Sequence, residues 1–265
     1  MSFDTTCRRL AEQFSLDFAN WLLGQSIELT ELSPTELSLE PIRADALILR
    51  QADNIVLHAE FQTQPDPDIP FRLLDYRIRV HRRFPSKPMH QVVIYLRRTT
   101  SEQVLINTFN LERTRHEFDV IRLWEQPPSL FLQSPGLLPF AALAQTPDPA
   151  QVLQQAAQAI DRVPDPQRQA ELAASAFVLA GLVLEQSIIQ QIIRRDVMQE
   201  SVTYQAIKQE GHQEGRQEGR QEGRQETLQE IAKNLLREGM ALEVIARTTG
   251  LSLETLQQLQ RSLTL

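Results

Sequence analysis

Residues 43–64 read RADALILRQADNIVLHAEFQTQ. Apolar runs flank a polar break at Gln51-Ala52-Asp53-Asn54, which is the pattern of a β-hairpin. A turn centred between Ala52 and Asp53 sets Asp45 directly opposite Glu60. One face then carries Asp45, Leu47, Leu49, Val56, His58, Glu60 and Gln62. The other carries Ala46, Ile48, Arg50, Ile55, Leu57, Ala59 and Phe61. Both faces are apolar near the turn, so the strands are expected to be interior and covered on both sides. Asp45, Glu60 and Gln62 gather at the far end of a single face, with Arg43 opposite Gln62.

Opposed carboxylates repel each other. A hard divalent cation such as Mg²⁺, which takes one or two carboxylates and keeps several waters, removes that conflict. Such an ion can activate water for phosphodiester hydrolysis. An ion pair with Arg43 or another arginine balances the same charges as a purely structural feature, and the spacing alone leaves both readings open. His58 shares the site face, but a lone strand histidine reads as a packed core residue.

Working outward, Leu10, Phe14, Phe18, Trp21 and Leu22 share a broad face and predict a helix over 7–23, ended by Gly24. Residues 27–39 alternate like a short strand. PDPDIP, residues 65–70, is a turn-rich break. Residues 71–84, FRLLDYRIRVHRRF, predict an amphipathic helix closed by Pro85 and Pro88. Strands are expected over 90–98, 104–109 and 117–124. Beyond Pro127 the strand signal fades, and helices are expected over 149–161 and 167–198, separated by Pro164 and Pro166. The apolar run from Leu172 to Leu184 reads as a buried helix, too short for a membrane span. The class is α/β, with helix, strands, helix and strand in mixed order.

The 265 residues suffice for one large domain with appendages, and 42% hydrophobic content supports a sizeable core. A net charge of −7 argues against whole-chain electrostatic binding of nucleic acid, so any such contact needs a local basic patch. Cys7 is the sole cysteine, which excludes an intrachain disulfide and a zinc cluster and suits a cytoplasmic setting. The N-terminus MSFDTTCRRLAEQF lacks the apolar core of a signal peptide. No membrane partner is expected.

An Asp near the end of one strand followed by Glu60-Phe61-Gln62 on the next resembles the PD-(D/E)XK nuclease core. The E-x-Q variant, with a following helix bearing Arg72, Tyr76 and Arg79, is similar to the Rpn family of recombination-promoting nucleases and transposase-like proteins. ELSPTELSLEPIRADALIL (31–49), HAEFQTQ (58–64) and PFRLLDYRIRVHRRFP (70–85) resemble its cyanobacterial branch. The resemblance spans roughly residues 1–200.

It implies a restriction-endonuclease-like mixed sheet flanked by helices and Mg²⁺- or Mn²⁺-dependent cleavage of DNA, acting in recombination or mobile-element biology. Asp45 and Glu60 would be the metal ligands, and Asp45, Glu60 and Gln62 the catalytic set. Gln62 stands where the parent pattern has lysine, and glutamine orients only by hydrogen bonds where lysine supplies charge. The rival reading is a catalytically weak or inactive nuclease-like scaffold that binds DNA or protein as an oligomeric module. Arg72, Tyr76 and Arg79, at i, i+4 and i+7, are the candidates for DNA phosphate contact. Arg77, Arg82 and Arg83 read as a solvated basic face, and Arg97 and Arg98 extend the patch.

Four segments follow from these readings: a nuclease-like core over 1–126, a helical lobe over 127–208, a linker over 209–226 and a small helical tail over 227–265. The linker contains GHQEGRQEGRQEGRQE, residues 211–226, with a period of four. On a helix Arg216, Arg220 and Arg224 would stack in one column, and Glu214, Glu218, Glu222 and Glu226 in another. Like charges at i,i+4 and recurrent glycine both disfavour an isolated helix. In the tail, IARTTGLSLETLQQL resembles a helix-turn-helix half, with Gly239 and Gly250 as helix stops and Ser252 as an N-cap. The helix after Ser252 has no basic residue before Arg261, so the tail reads as a protein-interaction or homo-oligomerisation element rather than a base reader.

Overall fold

The computed structural model describes residues 3–31, 47–51, 55–198, 201–206, 228, 231–236, 240–252, 254–256 and 258. These fall into two compact units, Met1–Ala206 and Ile207–Leu265. Among them no helix is long and apolar enough to cross a membrane. The repeat of residues 211–226 lies outside the described residues.

The first unit is built on a mixed sheet of five strands in the order β1-β2-β3-β4-β7. The strands are β1 Thr30–Glu31, β2 Leu47–Gln51, β3 Val56–Gln62, β4 Met89–Tyr95 and β7 Asp119–Arg122, while β5 Thr108–Leu111 and β6 Thr114–Glu117 form a separate hairpin. β1, β2 and β3 pair antiparallel, whereas β3, β4 and β7 pair parallel. The parallel pair β3/β4 requires a crossover, and α3, Ile69–Arg83, supplies it. The α/β architecture expected above is therefore the one found: a mixed sheet flanked by helices, then a helical lobe and a helical C-terminal segment.

β3 is buried along nearly its whole length, as an interior strand covered on both sides must be. On one face Leu57, Ala59, Phe61, Val92 and Ile94 join a core that runs into the N-terminal helices and the helical lobe. Phe61 stacks on Phe140 with ring centroids 5.8 Å apart and meets Phe18 edge-on at 6.3 Å. On the other face α3 covers the sheet through Ile69, Leu73, Tyr76 and Val80. The apolar contacts there divide into two clusters, one of Val56, Tyr76, Val80 and Met89, the other around Ile69, Leu73, Val93 and Tyr95.

The hairpin register differs from the expected one. Leu47, not Asp45, pairs with Glu60, and the ladder closes at Gln51↔Val56. By its paired residues the ladder is centred between positions 53 and 54 rather than between 52 and 53; residues 52–54 themselves lie outside the described residues. The difference is two residues, an even number, so the faces of β3 stay as expected.

Element boundaries also shift. The expected helix 7–23 is broken at Phe14 into α1, Phe3–Gln13, and α2, Ser15–Leu23. Gly136 approaches there, and its N–H donates to Asp17 Oδ2 at 2.7 Å. The expected strand 104–109 begins instead as a 3-10 helix, Glu102–Leu105, because Ser101 Oγ accepts the N–H of Gln103 and starts a turn. The strand expected over 117–124 is shorter: β7 ends at Arg122, and Leu123–Glu125 turns as a 3-10 helix.

The lobe holds α4, Pro128–Leu132, the 3-10 helix Pro135–Leu143, α5, Pro149–Ile160, and α6, Pro166–Ala180. Asp148 and Asp165 cap α5 and α6 through their side chains. The expected helix 167–198 is not continuous. Gly181 and Leu182 donate to Val178 and Leu179 in i→i+3 bonds that end α6, and α7, Gln186–Ile192, and α8, Arg195–Met198, follow.

The second unit has its own small core of Ala232, Ile245 and Leu256. Its α9, Leu242–Thr249, ends at Gly250, whose φ of 73° is left-handed and favours glycine. Ser252 Oγ then accepts the N–H of Thr255 at 3.2 Å, the N-cap expected from the sequence.

Candidate functional site

Glu60 and Gln62 leave β3 on the face covered by α3, and His58 lies on the same face one pleat earlier. Gln91 is beside them on the neighbouring strand β4. Buried His58, Glu60 and Gln91 lie between the two apolar clusters under α3, and Gln62 is half-buried. Asp45, the other expected metal ligand, lies outside the described residues.

Glu60 is only 3% exposed. Its Oε1 accepts from Arg72 Nη2 on the first turns of α3 and from Gln62 Nε2 at 3.1 Å. Arg72 Nη1 donates to Asp66 Oδ2 at 2.6 Å, so one guanidinium bridges both carboxylates. Asp66 Oδ1 in turn accepts the N–H of Asp68 at 2.9 Å. That backbone bond, with help from Arg72, holds the Asp66 carboxyl below its usual range. Burial pushes the Glu60 carboxyl up, against the opposing pull of Arg72.

The inner end of the site is neutral. Gln91 Nε2 lies 2.8 Å from the Leu73 carbonyl and 2.9 Å from His58 Nδ1. An amide nitrogen has two protons to donate, so both bonds form when His58 Nδ1 is the acceptor and its proton sits on Nε2. Burial drives the His58 pKa down to about 3, helped by Arg72 and His116. The imidazole is thus uncharged, and its 3.9 Å approach to Glu60 Oε2 is not an ion pair. Glu60 Oε2 and His58 Nε2 are both buried with no hydrogen-bond partner among the described residues.

The expected phosphate contacts separate. Arg72 is spent on carboxylates, Tyr76 is buried, and Arg79 pairs with Asp75 at 2.8 Å. The Tyr76 ring packs edge-on against His58 at 4.9 Å, and burial beside Glu60 pushes its hydroxyl up to about 12. Arg77 donates to the Met89 carbonyl, while Arg82, Arg83, Arg97 and Arg98 are exposed.

A divalent ion does not fit these residues as they stand. Glu60 Oε1 is committed to Arg72 and Gln62, and Asp66 shares the same guanidinium. Among the described residues no group of three His, Cys, Asp or Glu side chains could hold a metal.

Asp66 and Gln91 were not legible as site residues, whereas His58 is the packed residue on the site face that the sequence indicated. For Gln91 a signal existed: like Glu60 it is a polar residue inside an apolar strand run, HQVVIYL. Asp66 sits in a Pro-Asp repeat that reads only as a turn.

Among known families, residues 225–261 match the C-terminal HTH domain of the Rpn/YhgA-like nuclease family. The match covers the second unit's α9, Gly250 turn and Ser252-capped helix. No curated protein and no solved structure matches the chain.

Proposed function

We propose that this protein is a nuclease-like scaffold of the Rpn type, catalytically weak or inactive, that binds DNA as an oligomeric module. The carrying observation is the Arg72 guanidinium bonded to Glu60, the carboxylate that metal-dependent cleavage would need free. Gln62 spends its amide on the same carboxylate, so it is not set to orient an attacking water. The link to nucleic acid rests on the match of residues 225–261 to the C-terminal domain of a nuclease family. Phosphate contact then falls to the exposed Arg82, Arg83, Arg97 and Arg98 rather than to Arg72 and Tyr76.

The second reading is Mg²⁺-dependent endonuclease activity through Asp45, Glu60 and Gln62, in the cyanobacterial-type branch of the family. The buried, unpartnered Glu60 Oε2 favours it, since an acceptor left unpaired in the interior is costly. A plasmid-nicking assay with Mg²⁺ or Mn²⁺, run beside duplex binding by fluorescence anisotropy, separates the two. The scaffold reading expects salt-sensitive binding and no divalent-dependent nicking. Nicking that is lost in Glu60→Ala or Asp45→Ala would establish the endonuclease instead.

A further inference from the structure

Glu60 and Asp66 are each held without help from Arg72. Glu60 is fixed by its place on an interior strand and by the Gln62 amide, Asp66 by the Asp68 N–H ahead of α3. Both turn a carboxylate oxygen to the same guanidinium. That leaves one positive charge between two negative ones, with a further Glu60 oxygen, Oε2, buried and unpartnered. The side chains of Arg72 and Asp66 are about one-third exposed, 36% and 35%, so an ion from solvent could reach this end of the site. Without Arg72 two carboxylates would face each other at the edge of a low-dielectric interior, and their repulsion calls for a cation. The oxygens of Glu60, Asp66 and Gln62, completed by water, are the donor set a hard divalent ion takes.

We propose that Arg72 is the resident cation of this site. Its guanidinium holds the place of a divalent ion between Glu60 and Asp66, so the native chain takes up no Mg²⁺ or Mn²⁺ there, and loss of Arg72 opens a two-carboxylate site for one. This deepens the scaffold reading and rests on it. The chemistry also explains how one side chain bonds both carboxylates at once. A guanidinium presents donors in a planar fork that spans two carboxylates, whereas an ammonium is a compact point charge.

The test compares Mn²⁺ uptake, followed by loss of the free-ion electron paramagnetic resonance signal, with thermal melting of the full chain. Wild type is expected to show neither uptake nor a shift. Arg72→Ala takes up Mn²⁺, and with metal at roughly a hundred times its Kd the Tm rises by about 5–10 °C. Adding Glu60→Gln or Asp66→Asn to Arg72→Ala abolishes both effects, and Arg72→Lys, which keeps the charge, takes up none. If Arg72→Ala folds only when Mn²⁺ is present, the same conclusion follows. A folded Arg72→Ala that ignores Mn²⁺, one that stays unfolded with it, or Glu60-dependent uptake by wild type overturns the proposal. The outcomes stay distinct from those of the plasmid assay. Nicking by wild type sinks the scaffold reading, whereas an Arg72→Ala chain blind to Mn²⁺ sinks only the role of Arg72 and leaves DNA binding untouched.

Discussion

His58 makes the first unit sensitive to acid, and the size of the effect follows from its surroundings. The imidazole is fully buried, accepts from Gln91 through Nδ1 and packs against Tyr76. Its pKa of about 3 in the folded chain compares with 6.5 when unfolded. Between those values the unfolded chain binds the extra proton, so stability falls as pH falls. The whole shift corresponds to roughly 5 kcal/mol, of which about 2 kcal/mol is lost between about pH 7 and pH 5. For a unit of this size that lowers Tm by about 4–8 °C. Glu60 acts in the opposite sense. Its carboxyl is pushed up by burial, so its ionisation costs stability as pH rises through the folded pKa, and acid restores that loss. Comparison with His58→Gln separates the two, because glutamine retains an acceptor for Gln91 and does not titrate. Urea unfolding across this pH range should show the gap between wild type and variant changing by about 2 kcal/mol against the wild type in acid. Parallel stability curves would refute the assignment of a buried, neutral His58.

Two further substitutions probe contacts that hold the site's scaffold. A Cβ on Gly136 would stand 2.3 Å from Phe14 Cβ, so Gly136→Ala is expected to cost about 1–3 kcal/mol or more in urea unfolding; an unchanged midpoint would show that the junction of α1 and α2 yields freely. Buried Glu171 accepts the Val202 N–H at 2.6 Å and the Thr203 hydroxyl at 2.8 Å. Glu171→Ala should cost about 1–3 kcal/mol and speed proteolysis within 201–206, and unaltered cleavage there would count against the anchor.

The fold was legible where periodicity and burial agree. Apolar residues on both faces near the turn mark a strand covered on both sides, and the spacing of 71–84 marks an amphipathic helix; both are found, the helix as the crossover between β3 and β4. The hairpin register was off by two residues because Ala52-Asp53 and Asp53-Asn54 are both acceptable turn centres. The faces of β3 are as expected because side chains alternate with period two, and only an odd slip exchanges the faces. The failures at 104–109 and 167–198 share a different cause. Each depends on a local i→i+3 turn, set by Ser101 in one case and by the close of α6 in the other, and such turns leave no long-period signal.

The polar cluster of the candidate site was legible in part as a place and not as a chemistry. A polar residue inside an apolar strand marked Glu60 and Gln62, and the same mark lay on Gln91 and His58. What spacing cannot say is which cation answers a buried carboxylate. Arg72 follows Glu60 by twelve residues, across a turn and one turn of helix, and its sequence position suits a solvent-facing phosphate contact equally well. Packing decides the matter. α3 lies over the polar gap, so Arg72 near its start reaches back to Glu60 while Asp66, just before the helix, closes on the other side of the guanidinium. A tethered group of this kind acts at an effective concentration on the order of millimolar or higher and already stands in the site. A free divalent ion would have to displace it and also shed water to enter, so on the reading proposed above it is Arg72, one turn into α3, that decides what the Glu60 carboxylate can hold.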